Sequence, residues 1–199
     1  MQTQKSLAEA YSQVFISSKT YDSKAIYAKR RSEFMRKMDS FCVFAGMPVE
    51  PGCEEAFVQT WTRMVQEPAF LYLTGVNQAG CTLVLDPRKN RATLFVPKKD
   101  PFKEFWFGKR LGYLEGDSDV SGLTGIADVR PATELWPFIE KLAGRKGAKH
   151  AYAFYFEKFK DDHNWKFKAL LQRKISRFGL KVKSCASMHF EDRLVLEKG

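Results

Sequence analysis

The sequence predicts a mixed α/β fold, a β-sheet flanked by helices. Three observations predict it. Four short runs, FCVFAG (41–46), AFLYLT (69–74), CTLVLD (81–86) and RATLFV (91–96), read as strands bounded by turn residues. They are apolar almost throughout instead of alternating, as expected of a sheet covered on both faces. Stretches with helical spacing stand before and after them, and strands interleaved with helices make a layered α/β arrangement.

Each element follows from local chemistry. Residues 1–22 are polar and weakly patterned, a short extension in which Leu7, Tyr11, Val14 and Phe15 lie near helical spacing. Residues 23–38 form a firmer helix, with Ile26, Tyr27, Phe34, Met35 and Met38 on one stripe. The first strand ends at Gly46 and a loop containing Pro48, Pro51 and Gly52. Between the third and fourth runs, Asp86, Pro87 and Asn90 supply turn geometry. A short helix or turn is expected over 99–108 with Pro101 near its start. A helical turn over 117–123 and a short strand over 126–129 come next.

In the second half, a helix over 133–142 accommodates Pro137 only within its first turn. HAYAFYF (150–156) is the most strand-like run there. Asn164 is expected to cap a helix running to Phe178, with Trp165, Leu170, Leu171, Ile175 and Phe178 near one face and Gly179 as its stop. KVKSCAS (181–187) reads as a last strand, followed by a closing helix from His189. Residues 23–199 are thus expected to form one domain.

Bulk properties narrow the function classes. The chain of 199 residues is 44% hydrophobic and 14% aromatic, which excludes disorder. No apolar run approaches the ~20 residues of a membrane span, and the first residues lack the pattern of a secretory signal. Cys42, Cys53, Cys81 and Cys185 are scattered without a C-x-x-C pair, so a reduced, cytoplasmic protein is expected. The net charge of +10 is uneven: residues 141–183 hold thirteen Lys or Arg against Glu157, Asp161 and Asp162. Such asymmetry is read first as a solvated helix face meeting an acidic partner domain, and nucleic acid is not expected, because no aromatic stacking scaffold accompanies it.

The search for chemistry finds no active centre. His150, His163 and His189 are isolated from other ligand-type residues except in Asp161, Asp162 and His163, where turn and capping residues are expected. No nucleophile elbow and no phosphate-binding glycine loop are present. One corner differs in kind. In Trp106, Phe107, Gly108, Lys109, Arg110, Leu111 and Gly112, two glycines flank an arginine, as in a backbone bent too tightly for side chains. Trp106 and Arg110 there either form an apolar wall and an anion contact for a ligand, or fill the core and pair with an acid.

The corner and several other segments carry a family resemblance. Tyr27 with Arg30 and Arg31 resembles the opening of the first helix of the amino-terminal domain of aminopeptidase P (Xaa-Pro aminopeptidase), in the creatinase/prolidase group. Residues 41–46 with Pro48 resemble its first strand and turn. Gln66 with residues 70–75 resembles its F-x-Y-L-T-G motif. Residues 83–86 and 94–96 resemble the next strands, and Asp100, Glu104, Trp106, Gly108, Arg110 and Gly112 resemble its W-x-G-x-R-x-G corner. The likeness spans about residues 24–190 and is strongest over 66–112. One departure is the stretch before the motif, Thr62, Arg63, Met64, Val65 and Gln66, where the family commonly has an aromatic-x-aromatic-Arg-Gln run and only the Gln survives.

The resemblance implies a ribonuclease-H-like creatinase amino-terminal domain with no metal ligand and no catalytic residue of its own. In the family a pita-bread catalytic domain follows, holding two divalent metals, often manganese, that activate a water to cleave the first peptide bond when proline is second. That domain is expected beyond Gly199 as a partner, with this domain supporting homo-oligomers and closing one side of the peptide cleft. Trp106 and Arg110 match the positions that face the cleft. A rival implication is an inactive binding module of the same fold that recognises an acidic protein or nucleic acid.

Overall fold

A computed structural model describes residues 24–48, 66–107, 110–116, 119–156, 158 and 163–186. The expected helices in 1–22 and from His189, and the loop around Pro51 and Gly52, lie outside the described residues. Six strands form one mixed sheet in the order β4-β3-β2-β1-β5-β6. They are β1 (Cys42–Ala45), β2 (Thr82–Asp86), β3 (Arg91–Val96), β4 (Asp128–Pro131), β5 (His150–Ala153) and β6 (Lys181–Ser184). Strand β2 runs antiparallel to both β1 and β3, with Val43 opposite Val84 and Val84 opposite Thr93. The flanking pairs are parallel: β3 with β4, β1 with β5, and β5 with β6.

The sheet is covered on both faces, as its continuous apolar runs require. Side chains alternate across each strand. Cys42, Phe44, Leu83, Leu85, Leu94 and Val96 point into one core, with Phe34 and Met35 of helix α1 (Lys24–Met35) and Phe70 and Leu73 of α2 (Pro68–Thr74). Val43, Val84, Phe95, Ala151 and Val182 point into the other. There they meet Ile139 and Leu142 of helix α5 (Leu135–Ala143) and Leu171 and Ile175 of α6 (His163–Ile175). Two shorter helices, α3 (Pro101–Phe107) and α4 (Asp119–Thr124), complete the chain order between α2 and α5. The result is a three-layer α/β/α unit.

The largest correction concerns AFLYLT. These residues were expected to form a strand, but they belong to helix α2. Its ends explain why. The Glu67 carboxylate accepts a hydrogen bond from the Phe70 backbone N–H at 2.6 Å, and Pro68 occupies the first turn, where its missing N–H costs nothing. Gly75 closes the helix in the left-handed region at φ 70° and donates to the Leu71 carbonyl at 2.8 Å. A short apolar run suits a buried strand or a buried helix equally, so the punctuation around it decides.

Two smaller corrections bear on the site. Ile26 is not part of the core stripe of α1 and remains 40% exposed, whereas Arg30 and Arg31 are buried. Both guanidinium groups find carbonyl oxygens inside, so burying them leaves no donor stranded. Asn164 lies inside the first turn of α6 instead of capping it; the helix starts at His163 and continues as a 3-10 turn over Ser176–Phe178. Gly179 ends it at φ 71°. Pro137 sits in the first turn of α5, as required.

Candidate substrate-cleft corner

The corner expected from the Trp-x-Gly-x-Arg pattern is built by a crossing of two segments. Pro97 and Lys99 on one side exchange backbone hydrogen bonds with Tyr113 on the other: Lys99 N–H to Tyr113 O at 3.0 Å, and Tyr113 N–H to Pro97 O at 2.8 Å. The approach is close enough to require glycine. A Cβ on Gly112 would stand 2.7 Å from the Cα of Lys99, which is backbone and cannot swing away. Between the segments lies helix α3, whose first turn is capped by the Asp100 carboxylate accepting from Phe102 N–H at 3.1 Å.

Side chains then lock the corner. The Gln78 carboxamide makes two bonds to one residue, donating to Leu111 O at 2.7 Å and accepting from Leu111 N–H at 2.9 Å. The Glu104 carboxylate accepts from the backbone N–H of Arg110 at 3.1 Å. Lys99 and Asp119 form a half-buried ion pair at 3.7 Å. Gln66 holds the far end of the same loop: it accepts from Met47 N–H at 2.7 Å and from Glu67 N–H at 2.9 Å, and donates to Gln78 O at 2.9 Å. An amide relay thus runs from the end of β1 through Gln66 and Gln78 to Leu111.

These groups surround a small cavity of about 100 Å³, lined by Gln78, Lys99, Asp100, Glu104, Arg110 and Gly112 among others. Arg110 is buried, at 8% exposure, and lines this cavity; Trp106 lies in the last turn of α3. The structure therefore brings Arg110 and Glu104 together, and places Trp106 on the helix that carries Glu104. Gly108 and Lys109 lie outside the described residues. Phe102 and Phe105 of α3 are 72% and 79% exposed, and Leu114, just past the corner, is 54% exposed, so apolar side chains are left at the surface here.

The Tyr27, Arg30 and Arg31 group acts elsewhere. Arg30 lies over the Tyr72 ring at 4.1 Å and donates to Tyr72 O at 3.3 Å. Arg31 donates to Leu73 O at 2.8 Å and to Thr124 O and Gly125 O at 3.4 Å each. These carbonyls end helices α2 and α4, where the backbone dipole favours a cation. Burial pushes the Arg31 guanidinium down to about 10. A third polar cluster ties the α1–β1 turn to β5: Asp39 Oδ1 accepts from Tyr152 Oη and contacts His150 Nε2, each at 3.0 Å.

Sequence reasoning pointed to Glu104 and Gln66 through the resemblance, but not to Gln78 or Lys99. A glutamine in a polar loop carries no sign that its amide is buried. Among the described residues, no group of three His, Cys, Asp or Glu side chains could hold a metal ion. Among the same residues, no helix is long and apolar enough to cross a membrane.

Comparison with known proteins identifies the family. Residues 27–152 match the family model of the aminopeptidase P N-terminal domain. The chain belongs to this family. As an aminopeptidase P N-terminal domain it is 35% identical to rat (Rattus norvegicus) Xaa-Pro aminopeptidase 3 over 83 residues, 39% of this chain and 16% of the rat protein. Its fold is similar to an Escherichia coli aminopeptidase P variant in complex with substrate, with a TM-score of 0.59 and 22% identity over 83% of this chain and 37% of that one. A Bacillus anthracis protein assigned as an aminopeptidase P gives a TM-score of 0.67 at 16% identity, covering 86% of this chain and 40% of that one. At such identities the structural likeness speaks for the fold alone. The aminopeptidase P domain described here spans well under half of each protein it matches.

Proposed function

We propose that this chain is the non-catalytic amino-terminal domain of a cytoplasmic, metal-dependent Xaa-Pro aminopeptidase. In this reading it shapes one wall of a cleft whose reactive centre, with two divalent metals such as manganese, belongs to a following catalytic domain. The substrate is a peptide with proline in second position. The observation that carries the reading is the locked corner: Gly112 against Lys99, Gln78 on Leu111 and Glu104 on the Arg110 backbone fix a helix end and a buried arginine. A corner held this firmly suits a cleft wall that must not yield when peptide binds. Trp106 supplies an apolar surface to the peptide, and Arg110 holds the wall's polar side. The exposed apolar side chains of Phe102, Phe105 and Leu114 are suited to burial against the catalytic domain or a second copy in a homo-oligomer.

The test is a peptidase assay on Xaa-Pro peptides with added Mn²⁺. The 199-residue chain is expected to give no turnover, and the protein that carries it together with a catalytic domain is expected to cleave. In that longer protein Trp106→Ala is expected to lower kcat/KM about tenfold, leaving thermal stability unchanged. Clear turnover by the 199-residue chain would overturn the reading.

A further inference from the structure

The start of β3 borders a second cavity, which the corner at the other end of that strand does not use. Its volume is about 500 Å³, against about 100 Å³ at the corner, enough for a small organic molecule. Helix α1 supplies Ala28, Arg31 and Met35 to its lining, and the first residue of β3 supplies Arg91. The link from α4 into β4 supplies Ile126 and Asp128. The remaining lining residues are uncharged.

Charge decides what this cavity can hold. Arg31 is 3% exposed, and among the described residues no carboxylate pairs with it. Burial alone pushes its guanidinium down, with no neighbouring acid to offset the charge. The group carries five N–H donors. Its contacts with the Leu73, Thr124 and Gly125 carbonyls use at most three of them. Asp128, the acid of the lining, is already committed. It pairs with Arg91 at 2.8 Å and Arg130 at 3.1 Å, and accepts from Thr93 Oγ1 at 2.6 Å. With Arg91 and Asp128 cancelling, the lining keeps one positive charge, that of Arg31. A buried cation without a counter-ion is costly, and an arginine fork suits a carboxylate in two parallel hydrogen bonds. Ala28, Met35 and Ile126 add apolar surface, so the match is a monoanion with a hydrocarbon body. We infer that this cavity binds a small organic carboxylate, with the carboxylate on Arg31 and the hydrocarbon against Ala28, Met35 and Ile126.

The experiment titrates the isotope-labelled 199-residue chain with hexanoate, hexanamide and inorganic phosphate, followed by nuclear magnetic resonance. Hexanoate is expected to move the Arg31 Nε–H signal and the Gly125 and Ile126 amides, and to saturate them. Hexanamide keeps the shape without the charge, and phosphate keeps the charge without the hydrocarbon. Each is expected to bind about tenfold more weakly or worse. Two variants locate the site. Ala28 is exposed on α1, so Ala28→Leu fills the cavity without changing its charge and is expected to weaken hexanoate about fivefold. Arg31→Lys keeps the charge but loses the fork, and a loss of about tenfold is expected. Absence of a saturable shift with hexanoate overturns the inference, as does equal binding of hexanamide or of phosphate. Unchanged hexanoate affinity in either variant overturns it too. If circular dichroism shows Arg31→Lys unfolded, Ala28→Leu alone decides.

Discussion

The Gln78 carboxamide satisfies both backbone groups of Leu111, donating at 2.7 Å and accepting at 2.9 Å. Gln78 is itself buried, so water does not compete for these bonds. Replacing it with leucine strands a buried N–H and a buried carbonyl. Gln78→Leu is expected to cost about 2 kcal/mol, seen as a lower urea midpoint with an unchanged slope. A variant as stable as wild type would show that the corner does not depend on this amide.

Arg31 ends two helices at once through Leu73, Thr124 and Gly125. Arg31→Ala leaves three carbonyls without their donor and a void beside Met35. A loss of about 3 kcal/mol is expected in denaturant unfolding, with Arg31→Lys losing roughly half as much because one ammonium cannot reach both helix ends. Equal losses for the two variants would remove geometry from the explanation.

Gly112→Ala places a methyl group 2.7 Å from the Lys99 Cα. Relief requires the Lys99–Tyr113 pairing to open, and the expected cost is ~1–3 kcal/mol. Gly116→Ala provides the contrast in space. A Cβ there meets nothing within 4 Å, and any penalty comes only from its positive φ of 79°. Thermal unfolding of the two single variants separates crowding from backbone strain.

Asp39 and Tyr152 give the fold a dependence on pH at both ends. Desolvation pushes the Asp39 carboxyl up, but the Tyr152 hydrogen bond and the charge and hydrogen bond of His150 outweigh it and hold the group below its usual range. A carboxyl lowered in the folded state stabilises the fold above its unfolded pKa, and that contribution is lost as pH falls through the folded value. Burial, followed by the Asp39 hydrogen bond and charge, pushes the Tyr152 phenol up to about 12. A raised phenol stabilises the fold fully below its unfolded pKa of about 10, and the contribution disappears between about 10 and 12. Asp39→Asn should therefore flatten the acid limb of the stability profile and shift Tyr152 ionisation, followed by ultraviolet absorbance, to lower pH. An unmoved tyrosine titration would exclude the coupling.

Strands β2 and β3 are legible in the sequence because aliphatic and β-branched residues run unbroken up to a Pro and Asn turn. Their burial on both faces follows from the same lack of alternation. The segment of α2 reads as a strand for the same reason: Phe70, Leu71, Tyr72 and Leu73 suit either state. Glu67, Pro68 and Gly75 carried the answer as caps. At the corner, the glycines and Arg110 were visible as a pattern, and the locking groups were not. Gln66, Gln78 and Arg31 are polar residues inside a protein, where composition alone predicts exposure. What turns them inward is the set of backbone groups left unpaired by short helices and a sharp crossing. Those groups exist only once the chain has folded.

The pairing of β5 with β1 has a consequence for synthesis. Ser40 bonds the carbonyl of His150 across 110 positions, and Cys42 lies opposite Tyr152. Strands β1, β2 and β3 can zip up as a meander soon after they leave the ribosome, yet one rim of β1 stays open until the second half arrives. During that interval an apolar strand offers its hydrogen-bonding edge to any extended chain nearby, so this segment is where a stalled or clipped nascent polypeptide would first aggregate.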